Sequence, residues 1–395
     1  MSAVGSVLES GPAPRAGAQA PSARVAMVGA GQLARMTHQA AIALGVELRV
    51  LAASADDPAV RAGAAHVLGA PDDLGALRAL AAGCDVLTFD HERIPPEHLR
   101  ALQDEGVVLA PGAGAKLAAQ DKLHARRLLA GLGLPVPAFT HARTPADAER
   151  FAGEHGWPLI AKTPREGYDG RGVFTLQGLA DAERLLGETP GGILLEPHLA
   201  LDCELSVLVA RARGGERVAY VAAQTVQREA MCREILSPAP IDAALAAQAQ
   251  ALALELAEAI DATGIMAVEL FATPGGLLVN ELALRPHNSG HHTIEGAVTS
   301  QFEQHLRAVL GWPLGAGDAT APAVACVNVV GPPDGSDPRT RLPAALAVPG
   351  AHVHLYAKAA RPGRKLGHVT VCWTELRAAR AAALHAAALL EGRAS

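Results

Sequence analysis

A pair of glutamates, Glu269 and Glu281, lies in two apolar runs joined by Thr-Pro-Gly-Gly, a pattern typical of a β-hairpin. A three-residue loop at 274–276, with Gly276 in the left-handed conformation, would place the glutamates opposite each other on one face. Neighbouring carboxylates repel unless a cation lies between them, and Mg²⁺ that also contacts triphosphate oxygens would remove this repulsion. A solvent-exposed strand with two unrelated acids is the alternative, and the apolar neighbours of both glutamates disfavour it.

A glycine-rich segment at 166–172, Glu-Gly-Tyr-Asp-Gly-Arg-Gly, follows a predicted strand that carries Lys162. Its three glycines would let backbone amides approach phosphate oxygens. An ordinary glycine-rich hairpin is the alternative, but a lysine beside a glycine loop is a recurrent arrangement in phosphoryl transfer. Lysine is also rare in this chain, which suggests that a compact ammonium is needed where it occurs. The lysines are Lys116, Lys122, Lys162, Lys358 and Lys365, against 34 basic residues in all.

Two later segments concentrate hydrogen-bond donors and positive charge. The first, at 284–292, reads Leu-Arg-Pro-His-Asn-Ser-Gly-His-His. Its three histidines could form a zinc site, but no cysteine is near, so we favour substrate recognition. The second, at 358–368, places four cations around a predicted turn, where they could bind a phosphate monoester or a carboxylate. A solvated run of charges is the alternative for this second segment.

The sequence Gly29-Ala-Gly31-Gln-Leu-Ala34 fits a dinucleotide-binding pattern between a predicted strand and a predicted helix. NAD would require an acid at the end of the next strand, which instead ends Val-Leu-Ala-Ala-Ser at 50–54, so an NAD-dependent oxidoreductase is disfavoured. A phosphate at the helix N-terminus and simple tight packing remain. We favour a phosphate-bearing substrate, because the helix dipole attracts anions.

The elements that must position these side chains divide into three blocks. Strands at 24–29, 46–51 and 85–89 alternate with helices and predict a doubly wound parallel α/β domain over 24–110, after a disordered tail at 1–23. An α+β domain is predicted over 111–320, and a small β-rich domain over 321–395. The predicted elements of these two domains are a helix at 115–130, strands at 158–162, 172–176, 193–196, 204–210 and 217–223, a helix at 241–262, strands at 323–330, 351–356 and 368–372, and a last helix.

Composition excludes several classes of protein. The chain has 395 residues, 50% hydrophobic content and a formal net charge of −6, without a basic run, so nucleic acid is not an expected partner. The five cysteines are scattered, as expected for reduced thiols in a cytoplasmic protein. No segment is apolar over the length needed to span a bilayer, and the tail lacks the apolar core of a signal peptide.

Five segments taken together closely resemble the N5-carboxyaminoimidazole ribonucleotide synthase (PurK) family of ATP-grasp enzymes. The resemblance runs in order from about residue 24 to residue 375. The segments are Gly-Gln-Leu at 31–33, Tyr-Asp-Gly-Arg-Gly at 168–172, Asn-Glu-Leu-Ala at 280–283, Arg-Pro-His-Asn-Ser-Gly-His at 285–291 and Arg-Pro-Gly-Arg-Lys-Leu-Gly-His at 361–368.

The resemblance implies a three-domain homodimeric enzyme that uses ATP, Mg²⁺ (or Mn²⁺) and bicarbonate to carboxylate the amine of aminoimidazole ribonucleotide through carboxyphosphate. It implies magnesium ligands Glu269 and Glu281, and catalytic roles for Asp169, Arg171, Arg285, His287 and Lys358. The implied ATP-binding residues are Lys122, Lys162, Gly167, Tyr168, Asp169, Gly170, Arg171, Gly172, Glu196, Pro197, His198, Leu199, Glu204, Gln227, Asn280 and Glu281. The implied substrate-binding residues are Gly31, Gln32, Leu33, Asp90, Glu92, Tyr168, Asp169, Arg285, His287, Asn288, Ser289, Lys358, Arg364 and Lys365.

The chain departs from the family pattern at a few positions, and alternatives follow from them. The departures are Asp90, Glu166, Gln224, Gln227, Ala230 and His292. One alternative is a paralogue that acts on a related ribonucleotide. Another is a different ATP-grasp ligase, such as a formate-dependent transformylase or an amino-acid ligase, and a third is a non-catalytic ligand sensor. Retention of both Glu269 and Glu281 counts against the sensor.

Overall fold

The computed structural model describes residues 22–165, 172–228 and 231–393. Glu166, Gly167, Tyr168, Asp169, Gly170 and Arg171, and with them most of the predicted glycine flap, lie outside the described residues. The described chain forms three β-sheets with helices packed against them. No helix in these ranges is both long enough and apolar enough to cross a membrane.

The first sheet is parallel, as predicted, with strand order β3-β2-β1-β4. The predicted strand, glycine turn and helix at 24–44 are confirmed, whereas β3 was not predicted because its short, largely solvent-facing sequence lacks a clear apolar pattern. Its elements are β1 (Arg24–Val28), α1 (Gln32–Leu44), β2 (Glu47–Ala52), β3 (Ala65–Leu68), α2 (Leu74–Ala81), β4 (Val86–Phe89) and α3 (Pro96–Asp104).

The single helix predicted at 115–130 is wrong, because the chain forms two helices here. They are α4 (Ala113–Gln120) and α5 (Lys122–Gly131). Asp121 separates them in an extended conformation (φ −133°, ψ 107°), and its side chain accepts a hydrogen bond from the His124 backbone N–H at the start of α5. The break places Lys122 in the first turn of α5, where its backbone N–H donates to the Pro164 carbonyl over 2.8 Å.

The second sheet is small and antiparallel, with strand order β5-β8-β6-β7. Two helices cover it, and a separate apolar core that includes Phe151 and Leu159 fills the space between. Its elements are β5 (Thr140–Ala142), α6 (Pro145–His155), β6 (Leu159–Lys162), β7 (Val173–Leu176), α7 (Leu179–Glu188) and β8 (Ile193–Pro197).

The third sheet has nine strands and continues through the C-terminal part of the chain. Its order is β14-β13-β9-β11-β12-β15-β17-β16, with β10 also paired to β9. The predicted C-terminal strands join this same sheet, because β15 pairs with β12. The strands are β9 (Cys203–Arg211), β10 (Arg217–Ala219), β11 (Ala223–Arg228), β12 (Met231–Ser237), β13 (Gly264–Thr273), β14 (Gly276–Ala283), β15 (Ala323–Val330), β16 (Ala351–Leu355) and β17 (Lys365–Trp373).

Two predictions within this third block need correction. The strand predicted at 217–223 is interrupted at Tyr220, whose buried side chain donates from its hydroxyl to the Thr299 carbonyl. The strand β12 was not predicted, because Arg233 and Glu234 interrupt its apolar pattern. The helices of this block are α8 (Ala243–Ala259), α9 (Thr293–Gly296), α10 (Gln301–Leu310), α11 (Leu342–Leu346) and α12 (Leu376–Leu390).

Candidate active site

The hairpin of β13 and β14 pairs Glu269 directly with Glu281, as the sequence predicts. The loop is shorter than predicted: Thr273 pairs with Gly276, so only 274–275 connect the strands. Asn280 forms a β-bulge, because it has no partner on β13. The bulge shifts the strand register by one residue and so restores the pairing of Glu269 with Glu281. Gly276 has the predicted positive φ, 111°.

The bulge residue Asn280 and its neighbour Glu281 each contact a lysine. Asn280 Oδ1 accepts a hydrogen bond from Lys162 Nζ over 2.9 Å, and Glu281 Oε1 accepts one from Lys122 Nζ over 2.6 Å. These four side chains and Arg126 line a cleft between α5 and β14 whose remaining wall is apolar. We call it the lysine cleft. Two ammonium groups beside an apolar wall suit a ligand with phosphates at one end and a flat ring at the other.

A buried carboxylate, Glu196, holds Lys162 in position. Only 2% of Glu196 is exposed, and it forms ion pairs with Lys162, over 2.8 Å, and with Arg126. Arg126 also donates to the backbone carbonyls of Val279 (2.6 Å) and Asn280 (3.0 Å), so it ties α5 to the bulge. The family resemblance implies Glu196 as an ATP-binding residue, whereas nothing in the sequence pattern predicts a role for Arg126.

Other predicted ATP-binding residues lie around this cleft or at its margins. Glu204 on β9 accepts a hydrogen bond from Gln227 on β11 over 3.3 Å, and burial raises the pKa of Glu204. Pro197 ends β8, and His198, which follows it, is exposed. Gly172, at the far end of the flap, accepts at its carbonyl from the Thr163 N–H over 2.8 Å.

The two paired glutamates fit a divalent cation. Burial and the charges of Glu281 and Glu204 raise the pKa of Glu269 to about 7, although Lys122 and Lys162 act in the opposite direction. A cation between the carboxylates would remove this repulsion. Among the described residues no group of three potential metal-binding side chains occurs, so oxygen ligands from another molecule would have to complete the coordination.

Burial and charge repulsion at Glu269 predict that the free energy of unfolding falls as the pH rises through neutrality. Because its folded-state pKa, about 7, exceeds its ordinary 4.5, the folded state loses stability as the pH rises through this window. Glu269→Gln, which has no charge, should therefore be more stable than the wild type by about 2 kcal/mol at pH 8 without added metal. Urea unfolding at pH 4.5 and pH 8 checks this, and an equal difference at both values would contradict it.

A second charged group lies on the first domain's side of the site. The Arg285 Nε–H donates a bifurcated hydrogen bond to the two carboxylate oxygens of Glu92, over 2.8 and 3.0 Å, and Lys116 Nζ lies 3.6 Å from the same carboxylate. We call these three residues the Glu92 cluster. Burial alone raises the pKa of Glu92, but Arg285 and Lys116 outweigh it and lower that pKa to about 2. Burial lowers the pKa of the fully buried Lys116 to about 8.

The Glu92 cluster and the lysine cleft share an electrostatic environment. Burial alone lowers the pKa of Arg285, but Glu92, Asp90 and Glu281 raise it. Glu281 therefore raises the pKa of Arg285 and also accepts a hydrogen bond from Lys122 Nζ. Asp90 and Glu92 are the acids, and Lys116 and Arg285 the bases, of this part of the site.

The backbone of the glycine motif at the start of α1 contacts the carboxylate of Asp90. The Gly31 backbone N–H donates to Asp90 Oδ2 over 3.0 Å, and a side chain on Gly29 (φ 108°) would overlap Asp90 Oδ1. The hypothesis of a phosphate at this helix N-terminus is therefore not supported, since the phosphate would meet a carboxylate. Gln32 lies in the first turn of α1, and Leu33 packs against Tyr356.

The histidine-rich segment divides into two groups, of which only the first lies beside the paired glutamates. His287 Nε2 lies 3.7 Å from Glu269 Oε1, and Asn288 and Ser289 follow it in a short 3₁₀ turn. His291 and His292 point into the protein. His291 is fully buried and stacks on His368 with ring centroids 4.9 Å apart, and His292 Nδ1 lies 2.9 Å from the Ser289 carbonyl.

The predicted basic turn reaches the same region through Tyr356. Lys358 Nζ lies 5.7 Å from the centroid of the Tyr356 ring, which packs against Leu33 of α1. Arg364 donates to the Ala359 carbonyl over 3.2 Å, and Lys365 is largely buried at the start of β17. Predicted substrate residues of the first and the C-terminal parts of the chain therefore lie near the same aromatic ring.

Comparison with known proteins agrees with this architecture along most of the chain. Three family models match in order: a ribonucleotide synthetase preATP-grasp domain at residues 22–120, an ATP-grasp domain at 127–302 and a phosphoribosylaminoimidazole carboxylase C-terminal domain at 324–382. The N5-carboxyaminoimidazole ribonucleotide synthase of Mycobacterium tuberculosis is 51% identical over 353 residues, which cover 87% of this chain and 82% of that protein. These matches confirm the predicted ATP-grasp fold class.

Two solved structures show the same fold over nearly all of both chains. N5-carboxyaminoimidazole ribonucleotide synthetase from Thermus thermophilus superposes with a TM-score of 0.83 at 38% identity, covering 94% of this chain and 98% of its own. The synthase from Aspergillus clavatus, in complex with ADP and 5-aminoimidazole ribonucleotide, has a TM-score of 0.85 at 31% identity, with 94% and 99% covered. The charged cleft, the paired glutamates and these matches together lead to one conclusion: the chain belongs to the N5-carboxyaminoimidazole ribonucleotide synthase family of ATP-grasp proteins.

Proposed function

We propose that this protein uses ATP and bicarbonate to carboxylate the amine of 5-aminoimidazole ribonucleotide, a step of purine biosynthesis. The observation that carries the proposal is the lysine cleft together with the paired Glu269 and Glu281, whose charge also acts on Arg285. This arrangement suits a nucleoside triphosphate with an anionic second substrate beside it. The relatives' names supply the identity of that second substrate.

In the proposed site, Lys122 and Lys162 bind the phosphates of ATP, and Glu196 fixes the ammonium of Lys162. Glu269 and Glu281 would hold Mg²⁺, or Mn²⁺ in its place, which when bound stabilises the charge of the transferring phosphoryl group. Arg285 and His287, with Lys358, bind bicarbonate and later the new carboxylate. Glu92 fixes the plane of the Arg285 guanidinium.

The proposed reaction has two steps. A bicarbonate oxygen attacks the γ-phosphorus of ATP, the bond to the bridging oxygen breaks, and ADP and carboxyphosphate form. The substrate amine then bonds to the carboxyl carbon, inorganic phosphate leaves with the electrons of the C–O bond, and the amine loses a proton. We propose that the flap, with Asp169 and Arg171, excludes water and orients the amine during the second step.

Two alternatives are less well supported. A formate-dependent ATP-grasp transformylase would use the same lysine cleft, so only the co-substrate separates it from the proposed enzyme. An NAD-dependent oxidoreductase is disfavoured by Asp90, whose carboxylate accepts the Gly31 N–H that a dinucleotide pyrophosphate would need. We further propose, from the family resemblance alone, a cytoplasmic homodimer.

The decisive experiment measures ADP release with bicarbonate, in the presence and absence of 5-aminoimidazole ribonucleotide. We expect release to depend on bicarbonate and to be stimulated severalfold or more by the ribonucleotide, with one carboxylated product per ADP. Bicarbonate-depleted buffer containing formate is the control. Stimulation by formate, or by an amino acid, in place of bicarbonate would overturn the proposal in favour of another ligase.

A further inference from the structure

We infer that Gln301, a residue outside the predicted site, is a positioning residue that fixes the backbone of His287 beside the paired glutamates. Gln301 is the first residue of α10 and is fully buried. Its side-chain amide contacts both polar backbone groups of His287: Oε1 accepts from the N–H over 2.8 Å, and Nε2 donates to the carbonyl over 2.7 Å. One buried side chain on α10 therefore binds the backbone of a proposed site residue at two points.

The surroundings of Gln301 hold its amide in one orientation. With the amide reversed, its N–H would face the His287 N–H and its oxygen would face the carbonyl. The backbone N–H of Gln301, which lies in the first turn of α10, donates to Thr293 Oγ1 over 2.9 Å. A side chain on Gly290 would lie 2.5 Å from Gln301 Oε1. The segment 287–293 thus fits closely around the buried amide.

The position of His287 matters because two residues of the proposed bicarbonate site lie in its segment. His287 Nε2 lies 3.7 Å from Glu269 Oε1, and Arg285, two residues earlier, pairs with Glu92. A shift of the backbone at His287 would move both the imidazole and the guanidinium. The inference rests on the proposed function, in which these two groups bind bicarbonate and then the new carboxylate. Gln301 acts on the reaction only through them.

Contacts of the later residues of the turn remain when Gln301 is replaced. The Gly290 N–H donates to the His287 carbonyl over 3.0 Å within the turn, and Ser206 Oγ lies 2.7 Å from Ser289 Oγ. Neither contact supplies an acceptor for the His287 N–H. Replacement of Gln301 should therefore leave the turn formed but loosen the attachment of its first residue to α10.

The same helix provides a matched control. Gln304, three residues further along α10 and also fully buried, binds the backbone of Gly315 in the same way: Oε1 accepts from the N–H over 2.8 Å, and Nε2 donates to the carbonyl over 2.6 Å. Gly315 is not among the proposed site residues. Methionine is similar in length to glutamine but cannot form these hydrogen bonds, so Gln301→Met and Gln304→Met each lose the same pair. We expect the two variants to lower the melting temperature by similar amounts.

Steady-state kinetics then separate the two variants. We expect Gln301→Met to lower kcat/KM for bicarbonate by about tenfold or more, because the groups that bind the ion are no longer held in place. Its KM for ATP should change by less than about twofold, since Gln301 does not line the lysine cleft. Gln304→Met should keep kcat/KM for bicarbonate within about twofold of the wild type, because it leaves the backbone of His287 attached.

Hydrogen exchange of backbone amides reports the same contact without any substrate. The His287 amide should be protected in the wild type and in Gln304→Met, and it should exchange about tenfold faster or more in Gln301→Met. The Gly315 amide should show the converse, with faster exchange only in Gln304→Met. A loss of stability alone would not produce this exchange of roles between the two amides.

Equal losses of kcat/KM for bicarbonate in the two methionine variants, or an unprotected His287 amide in the wild type, would overturn the inference. If Gln301→Met does not fold, Gln301→Glu and Gln304→Glu, which keep the size but turn an oxygen toward each carbonyl, repeat the kinetic comparison with the same criterion. If the wild type shows no bicarbonate-dependent ADP release, the proposed function fails, yet exchange of the His287 amide still decides whether Gln301 holds this segment.

Discussion

Glu281→Gln should lower kcat for ATP-dependent carboxylation by about a thousandfold, while the protein remains folded. Glu281 pairs with Glu269 across the hairpin and contacts Lys122 over 2.6 Å, so its charge serves the proposed cation site and the adjacent lysine together. Glutamine keeps the shape but loses the charge. It leaves Lys122 without this carboxylate and the cation with one acidic side chain, so the transferring phosphoryl group is less well neutralised.

Steady-state ADP release, measured across a range of Mg²⁺ concentrations, tests this expectation. Glu258→Gln is the matched control, because Glu258, on α8, carries the same charge but forms a surface ion pair with Arg217, and this variant should retain wild-type kcat. A melting temperature of Glu281→Gln near that of the wild type would show that the fold is intact. Retention of more than about a tenth of the wild-type kcat at saturating Mg²⁺ would refute the assignment of Glu281 to the cation.

Glu196→Gln should destabilise the protein by about 3–5 kcal/mol, the largest effect on stability that we expect from a single change. Glu196 is 2% exposed and pairs with both Arg126 and Lys162, of which 3% and 6% are exposed. Without its charge, two buried cations would face each other across a neutral amide. Burial already lowers the pKa of Lys162, so the lysine would also be pushed toward its neutral form and bind phosphates less well.

Urea unfolding measures this loss, and Glu47→Gln provides the contrast. Glu47 pairs with Arg24 over 3.1 Å, but both side chains are more than half exposed, so its replacement should cost less than about 1 kcal/mol. Glu196→Gln should show a raised KM for ATP, because Lys162 loses its ion pair with Glu196. Equal destabilisation by the two variants would contradict the assigned role of the buried carboxylate.

Local patterns predicted the core of the site, and long-range packing determined the rest. The pairing of Glu269 with Glu281 was predictable because a hairpin is a local structure, although the register is set by a bulge at Asn280 and not by the loop. Arg126 gave no signal, since an arginine on a polar helix is normally solvated. Its importance arises only when α5 packs on β14 and Glu196 approaches from another sheet.

The difference between local pattern and long-range packing also decides which lysines and histidines could be assigned from the sequence. Composition drew attention to Lys116 as one of five lysines, but its place in the Glu92 cluster depends on Glu92 and Arg285, which come from different domains. His291 and His368, each at the end of a motif that resembles the family, could have been substrate ligands. Both rings are buried and stack on each other, so they hold the two segments together inside the protein.

The pairing of β12 with β15 has a practical consequence for how this protein can be divided. The family models suggest a cut between residues 302 and 324, but such a cut would strip the hydrogen-bonding partner from a seven-residue strand in the interior of the sheet. An exposed strand edge of this kind recruits other chains. Hybrid enzymes made by exchanging the C-terminal portion would therefore have to match the backbone register of β15 to β12, and not merely the substrate-facing side chains.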